Sequence, residues 1–193
     1  MKTNILILKL TILTNFAFGQ NKLIKDIDSD GKKDTIFINI KKTTIICNLS
    51  TLNYKSISSK PIGLLNFSSG VKSTKNGFEF FNDWMRSGYK NQFKYNSKTK
   101  KIQLIGMSRY EFGNAYNDGS GESSVNLLRN YYIGNWNYYD MDKGKLINIP
   151  TIKTKMKFKI INIENFSEET YFDYAEKCAE LYNIYKEIMI NKK

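Results

Sequence analysis

Asp26, Asp28 and Asp30 stand at alternate positions, Gly31 follows, and Asp34 closes the run. Four carboxylates held this closely repel one another unless a cation sits among them. Ca²⁺ is a hard cation that takes roughly 6–8 oxygen ligands in flexible geometry, and a tight loop supplies them from its first, third, fifth, seventh and ninth positions. Here those positions are Asp26, Asp28, Asp30, Lys32 through its carbonyl, and Asp34. Gly31 permits the sharp turn that wraps the backbone round the ion. A helix–loop–helix calcium sensor is excluded. Its twelfth position is a bidentate Glu, whereas this chain has Phe37, followed by β-branched and apolar residues that read as a strand. Mg²⁺ suits the loop less well, because it keeps its waters and demands octahedral geometry. The alternative is an Asp/Gly turn without an ion.

Other chemistry is narrowed by what the chain lacks. It contains no histidine, which removes Ser–His–Asp and Cys–His nucleophile systems and most zinc sites. No phosphate-binding Gly-rich loop or nucleophile elbow is present. A carboxylate pair would suffice for glycoside hydrolysis, but no spacing among Glu79, Asp83, Glu111, Asp118, Glu122, Asp140 and Asp142 singles one out. The reading is therefore a non-enzyme. Two segments offer binding groups. The polar, Gly-containing stretch 113–123 lies between strands and carries Tyr116, Asn117, Ser120 and Ser123. Its Asp118 and Glu122 offer either a second, weaker ion site or a solvated loop. The run 131–139 places Tyr132, Trp136 and Tyr138 on one strand face. Such a row is either a platform for sugar rings or core packing.

The elements that position these groups are mainly strands. Periodicity and turn residues predict strands over 34–40, 43–49, 77–85, 89–95, 101–112, 124–128, 130–140 and 154–161, with 52–56 continuing the first ladder and 57–76 largely loop. In the long strand 101–112, Ile102, Leu104 and Gly106 are expected on one face and Gln103, Ile105 and Met107 on the other. The segment 154–161 reads as a half-exposed strand with a lysine face. From Ser167 the period changes: Tyr171, Tyr174, Cys178, Leu181, Tyr185 and Ile188 recur at helical spacing. Ser167 is the expected N-cap, Glu168 and Glu169 fall in the first turn, and Lys192 and Lys193 follow the end of a helix over 167–191. The fold class is mainly β, with antiparallel sheets and one C-terminal amphipathic helix laid over them.

Residues 1–19 resemble a secretion signal: Lys2 at the start, a short apolar stretch, and small residues before Gln20. The alternative is a buried N-terminal element. The apolar run is too short, and too broken by Lys9, to span a membrane. Residues 20–193 then form one domain, expected to act outside the cytoplasm, secreted or periplasmic, and as a monomer. Cys47 and Cys178 either pair in that oxidising compartment or remain buried thiols. The formal charge is +12, but only Arg86, Arg109 and Arg129 of the 30 basic residues are arginines. That scatter of lysines does not read as a nucleic-acid surface, although it leaves attraction to acidic cell-surface polymers open.

Loop-then-strand at Asp26–Ile40 resembles the DxDxDGxxD calcium loops of FG-GAP/integrin-type secreted β-repeats. The segments Phe93-Lys94-Tyr95, Lys101-Ile102-Gln103-Leu104-Ile105-Gly106 and Ser124-Val125-Asn126-Leu127-Leu128 follow a second pattern. Together with the Asp loop, they are similar to the periplasmic calcium-binding lysozyme inhibitors that act as immunity proteins against peptidoglycan-hydrolase effectors in Xanthomonas. The resemblance covers about 26–40 and 92–140. It implies a propeller-like β domain, a calcium site at Asp26, Asp28, Asp30 and Asp34, and inhibition by surface loops. Arg129-Asn130 replaces the Thr-Gly of that pattern, and the C-terminal helix has no counterpart in it. The expected partner is a cell-wall hydrolase. A cell-surface or glycan-binding module using Tyr132, Trp136 and Tyr138 is the alternative.

Overall fold

The computed structural model describes residues 22–114 and 116–191. The proposed signal segment, Lys192 and Lys193 lie outside the described residues. Twelve strands and one long helix follow in order. Strands β1 (Lys22–Lys25), β2 (Asp34–Asn39), β3 (Thr44–Asn48) and β4 (Ser56–Ser58) form a four-stranded antiparallel sheet in sequence order. A second sheet runs through β5 (Ser69–Thr74), β6 (Gly77–Trp84), β7 (Ser87–Asn96), β8 (Lys101–Glu111), β9 (Ser120–Asn126), β10 (Tyr131–Asp140) and β11 (Lys145–Asn148), again each beside the last. β12 (Ile152–Lys155) takes the first half of the outer edge of β10, and β11 takes the second half. Among the described residues there is one sheet of four strands and one of eight. A propeller repeats four-stranded blades, at least about four of them, around an axis. That arrangement is not present among the described residues.

The strands form where alternation matches a half-buried pleat. In β2, Asp34, Ile36 and Ile38 are buried while Thr35, Phe37 and Asn39 are half-buried. In β10, Tyr132, Gly134, Trp136, Tyr138 and Asp140 are buried. The long β8 departs from simple alternation. Gln92 pairs with Gly106 and Phe93 with Leu104, so Ile105 is an extra residue, a β-bulge. Ile102, Leu104 and Met107 are therefore buried together, and Gly106 and Ser108 turn outward, against the expected assignment of Gly106 and Met107.

Helix α1 (Glu168–Ile190) covers the inner face of the large sheet. Ser167 is its extended N-cap, and the Ser167 N–H donates to Thr170 Oγ1 at 3.4 Å. The buried stripe is Tyr171, Tyr174, Cys178 and Tyr182; the first three are as the periodicity predicts, whereas Leu181 and Tyr185 are only half-buried and Ile188 is exposed. Tyr171 stacks on Tyr89 at 4.2 Å between ring centroids. Phe166, just before the helix, packs edge-on against Phe80 and Phe93. One continuous core includes residues of both sheets and the helix. β1 and β2 lie against β5, and Lys25 Nζ crosses that seam to the carbonyls of Thr74 at 2.5 Å and Gly77 at 3.2 Å.

Four further expectations about strands are corrected. The stretch 52–56 is not a strand: Ser50–Leu52 forms a 3-10 turn and β4 begins only at Ser56. β5 occupies a stretch read as loop, and β9 begins at Ser120, inside the supposed loop 113–123. The lysine-faced strand ends at Lys155, because the chain beyond it sends Met156 and Ile163 into the core. Cys47 and Cys178 are both buried and free, one in β3 and the other on α1.

Candidate functional site

The Asp loop bridges β1 and β2. Gly31 adopts φ +86, the left-handed turn its position requires. Asp26 sits at the mouth of the loop, where its Oδ1 accepts the Ser29 N–H at 2.7 Å and its Oδ2 the Gly31 N–H at 3.0 Å. Asp34, the first residue of β2, is completely buried. Its Oδ2 accepts the Ile27 N–H at 2.7 Å; its Oδ1 accepts the Ser50 N–H at 2.8 Å and the Ser50 hydroxyl at 3.1 Å. Asp28 Oδ2 accepts from Thr51 Oγ1 at 2.5 Å. Asp28 Oδ1 is buried and has no hydrogen-bond partner.

One carboxylate oxygen from each of Asp26, Asp28 and Asp34 lies within 4.8 Å of the others. With Ca–O distances of about 2.3–2.6 Å, two oxygens on one ion are separated by at most about 5 Å, so the three fit a single ion. Among the described residues no Lys or Arg forms an ion pair with any of the four loop aspartates. A fully buried carboxylate beside two others, with no cation paired to it, is costly. An ion in the gap would offset that cost and give Asp28 Oδ1 its missing partner.

Asp30 stands apart from this trio. Its Oδ1 accepts the Lys32 N–H at 2.8 Å and its Oδ2 the Ser50 hydroxyl at 2.8 Å. Those two donors hold its carboxyl below the usual range. The geometry thus gathers three of the four predicted aspartates and gives Asp30 and Lys32 the task of shaping the turn. Sequence reasoning missed Ser50 and Thr51, which bond to Asp28, Asp30 and Asp34 from the 3-10 turn. Their hydroxyls were visible, but their approach to the loop depends on β3 folding back beside β2.

The other predicted groups separate. Tyr116 is two-thirds exposed on the loop 112–119, and Asn117 is half-buried in it. Ser120 and Ser123 are not surface donors: both are buried in β9. Ser123 Oγ lies 2.8 Å from Tyr174 Oη and 3.4 Å from Cys178 Sγ, so it serves the helix–sheet interface. Burial raises the pKa of Tyr174 and Cys178. Gly121 has φ +148, and a Cβ there would fall 2.0 Å from the Asn135 carbonyl, which explains the small residues at this point. The aromatic platform faces the wrong way for a ligand. Tyr132, Trp136 and Tyr138 are buried, and Trp136 Nε1–H donates to Tyr132 Oη at 2.8 Å. Asp118 accepts from the Tyr139 N–H at 2.8 Å and pairs with Lys186 at 2.6 Å. Glu122 stands exposed in β9 opposite Tyr110 and Asn135. Neither belongs to a cluster of three or more metal-ligating side chains among the described residues.

The class these observations define is a mainly-β antiparallel domain with a capping C-terminal helix. No protein-family model, curated protein or solved structure matches the chain. No helix among the described residues is long and apolar enough to cross a membrane.

Proposed function

We propose that this protein is a calcium-stabilised, non-catalytic binding protein of the extracytoplasmic space, and that it acts as an immunity-like inhibitor of a peptidoglycan hydrolase. The calcium part rests on Asp26, Asp28 and Asp34 converging without a paired cation. The inhibitory part rests on the loop 112–119. Its described residues are held by hydrogen bonds at 3.1 Å from Asn117 N to Asn114 O and 3.0 Å from Ser120 N to Asn117 O, and by the Asp118–Lys186 pair. From this fixed base Tyr116 projects into solvent, with Phe112 and Met141 also exposed. Tyr116 packs edge-on to Tyr139 at 5.0 Å. An exposed aromatic on a preorganised loop loses little entropy on binding and is suited to anchor in a cleft.

The test is inhibition of a panel of peptidoglycan hydrolases by the purified chain and by Tyr116→Ala. Inhibition of at least one enzyme, weakened tenfold or more in Tyr116→Ala with an unchanged melting temperature, is the expected result. A chain that neither binds nor inhibits any of them overturns the inhibitor reading.

A further inference from the structure

The outward face of the large sheet carries a trough that the inhibitor reading does not use. Three adjoining depressions of about 300, 320 and 380 Å³ run from the middle of that face to the Asp loop. The first two share Ile105 and Leu128, and the last two share Lys94, Tyr95 and Ser97. The bulge at Ile105 makes the trough, because it turns small residues outward. Gly106 and Ser108 of β8 lie opposite Asn126 and Ser124 of β9, and no bulky side chain fills the space above them.

The charges on its walls are one-sided. Lys90, Lys94 and Lys98 follow β7 and its turn, and Lys75 and Lys25 stand at the far end. Lys90 and Lys94 project from the same face of β7, about 13 Å apart at roughly 3.3 Å per residue. Among the described residues none of Lys75, Lys90, Lys94 and Lys98 is in an ion pair. The carboxylates lining the trough are Asp26 and Asp28, two of the three that converge at the proposed ion. Between the lysines lie Gln92, Gln103, Ser108, Ser124 and Asn126, which both donate and accept hydrogen bonds.

We propose that this trough binds a linear polysaccharide carrying carboxylates. The lysines meet its charges, and the amide and hydroxyl side chains meet its hydroxyl groups. Arginine is absent from the lining and Tyr95 is its single aromatic ring, which leaves little for stacking or reading nucleobases. The proposal rests on the calcium reading at one end. With the ion bound, Asp26 and Asp28 no longer repel a polyanion, so binding is stronger in calcium.

The test uses a hyaluronan decasaccharide, a neutral chitin hexasaccharide, a ten-nucleotide oligothymidylate and a polyglutamate peptide, each titrated into the full chain in Ca²⁺ and in EGTA. Hyaluronan is expected to bind in Ca²⁺, several-fold more weakly in EGTA, and more tightly than the other three probes. The double variant Lys90→Gln/Lys94→Gln should lose about five- to tenfold in affinity, with its melting temperature and calcium response unchanged. No binding of hyaluronan, equal binding by the double variant, or oligothymidylate or polyglutamate binding as tightly as hyaluronan overturns the proposal. A melting temperature that ignores calcium while the double variant still loses hyaluronan sinks the ion and keeps the trough.

Discussion

The substitution Asp28→Asn separates a calcium staple from an ordinary hydrogen-bonded turn. Its side chain keeps an oxygen to accept from Thr51 Oγ1, and the atom it changes, Oδ1, has no partner to lose. In EGTA the variant therefore forfeits no hydrogen bond. It also removes one of three carboxylates whose oxygens lie within 4.8 Å. Each such repulsion is worth about 1 kcal/mol in water-like surroundings, so the metal-free variant should be as stable as the parent or about 1–2 kcal/mol more so. In calcium the order reverses. At a free concentration near one hundred times the dissociation constant, the parent gains about 2.7 kcal/mol. For a chain of this size that is a rise of about 5–11 °C in melting temperature. The variant should gain little of it. Thermal unfolding followed by circular dichroism, for both proteins in Ca²⁺ and in EGTA, gives the four values needed. If the parent melts at the same temperature in both buffers, or Asp28→Asn keeps the full calcium shift, the ion assignment is wrong. If the variant is much less stable in EGTA, Asp28 is a structural acceptor and the repulsion argument fails.

Two further outcomes follow from the same structure. Asp30 is held below its usual value by the Lys32 N–H and Ser50, and Asp118 is also lowered: burial would raise it, but Lys186 and the Tyr139 N–H outweigh that. A carboxylate lowered in the folded state contributes stability above its unfolded value, near 3.8, and loses it as pH falls through the folded value. Stability in EGTA should therefore decline below about pH 4, only modestly because both groups face solvent; a melting temperature flat from pH 6 to 3 would contradict this. Burial raises the pKa of both Cys47 and Cys178, so a thiol reagent at pH 8 should leave the native protein unlabelled and modify both after denaturation. A denatured, unreduced chain that takes up no reagent would show a bridge instead.

The parts of the fold that were legible in the sequence are those where local pattern and burial agree. β2 and β10 alternate cleanly, β6 and β7 are rich in aromatic residues, and the helix announces itself by Tyr171, Tyr174 and Cys178. β5 was hidden because Ser69, Gly70 and Ser73 favour turns; it is a strand because Val71 and its neighbours pair with Phe80 and Phe81 of β6. The bulge at Ile105 was hidden because alternation through 102–107 is plausible in either register, and pairing with β7 decides it. Ser123 misled for a different reason. A serine in a polar, Gly-containing run reads as surface, yet this one is buried against Tyr174 and Cys178, more than fifty residues away. The Asp loop was legible because its carboxylates are close together in the chain, whereas its hydroxyl supports, Ser50 and Thr51, come from another turn.

Where those supports attach decides what the ion would do. Asp26 and Asp28 follow β1, Asp34 opens β2, and Ser50 and Thr51 follow β3. An ion among the three carboxylates would tie the ends of three strands at one corner of the small sheet. β1 has only four residues, and Leu23 is the one it buries, so hydrophobic burial alone holds it weakly. Yet β1 lies against β5, and Lys25 reaches across to Thr74 and Gly77. Such a staple would therefore act on the seam between the two sheets. Beside it lies the end of the trough, where Lys75 and Asn76 face Asp26 and Asp28. Calcium would set the position of that wall and its charge together. A sensor would need a second arrangement of β1, and the loop is closed by hydrogen bonds to Asp26, Asp28 and Asp34 alike. That rigidity favours a constitutive ion, one that fixes a binding surface in place.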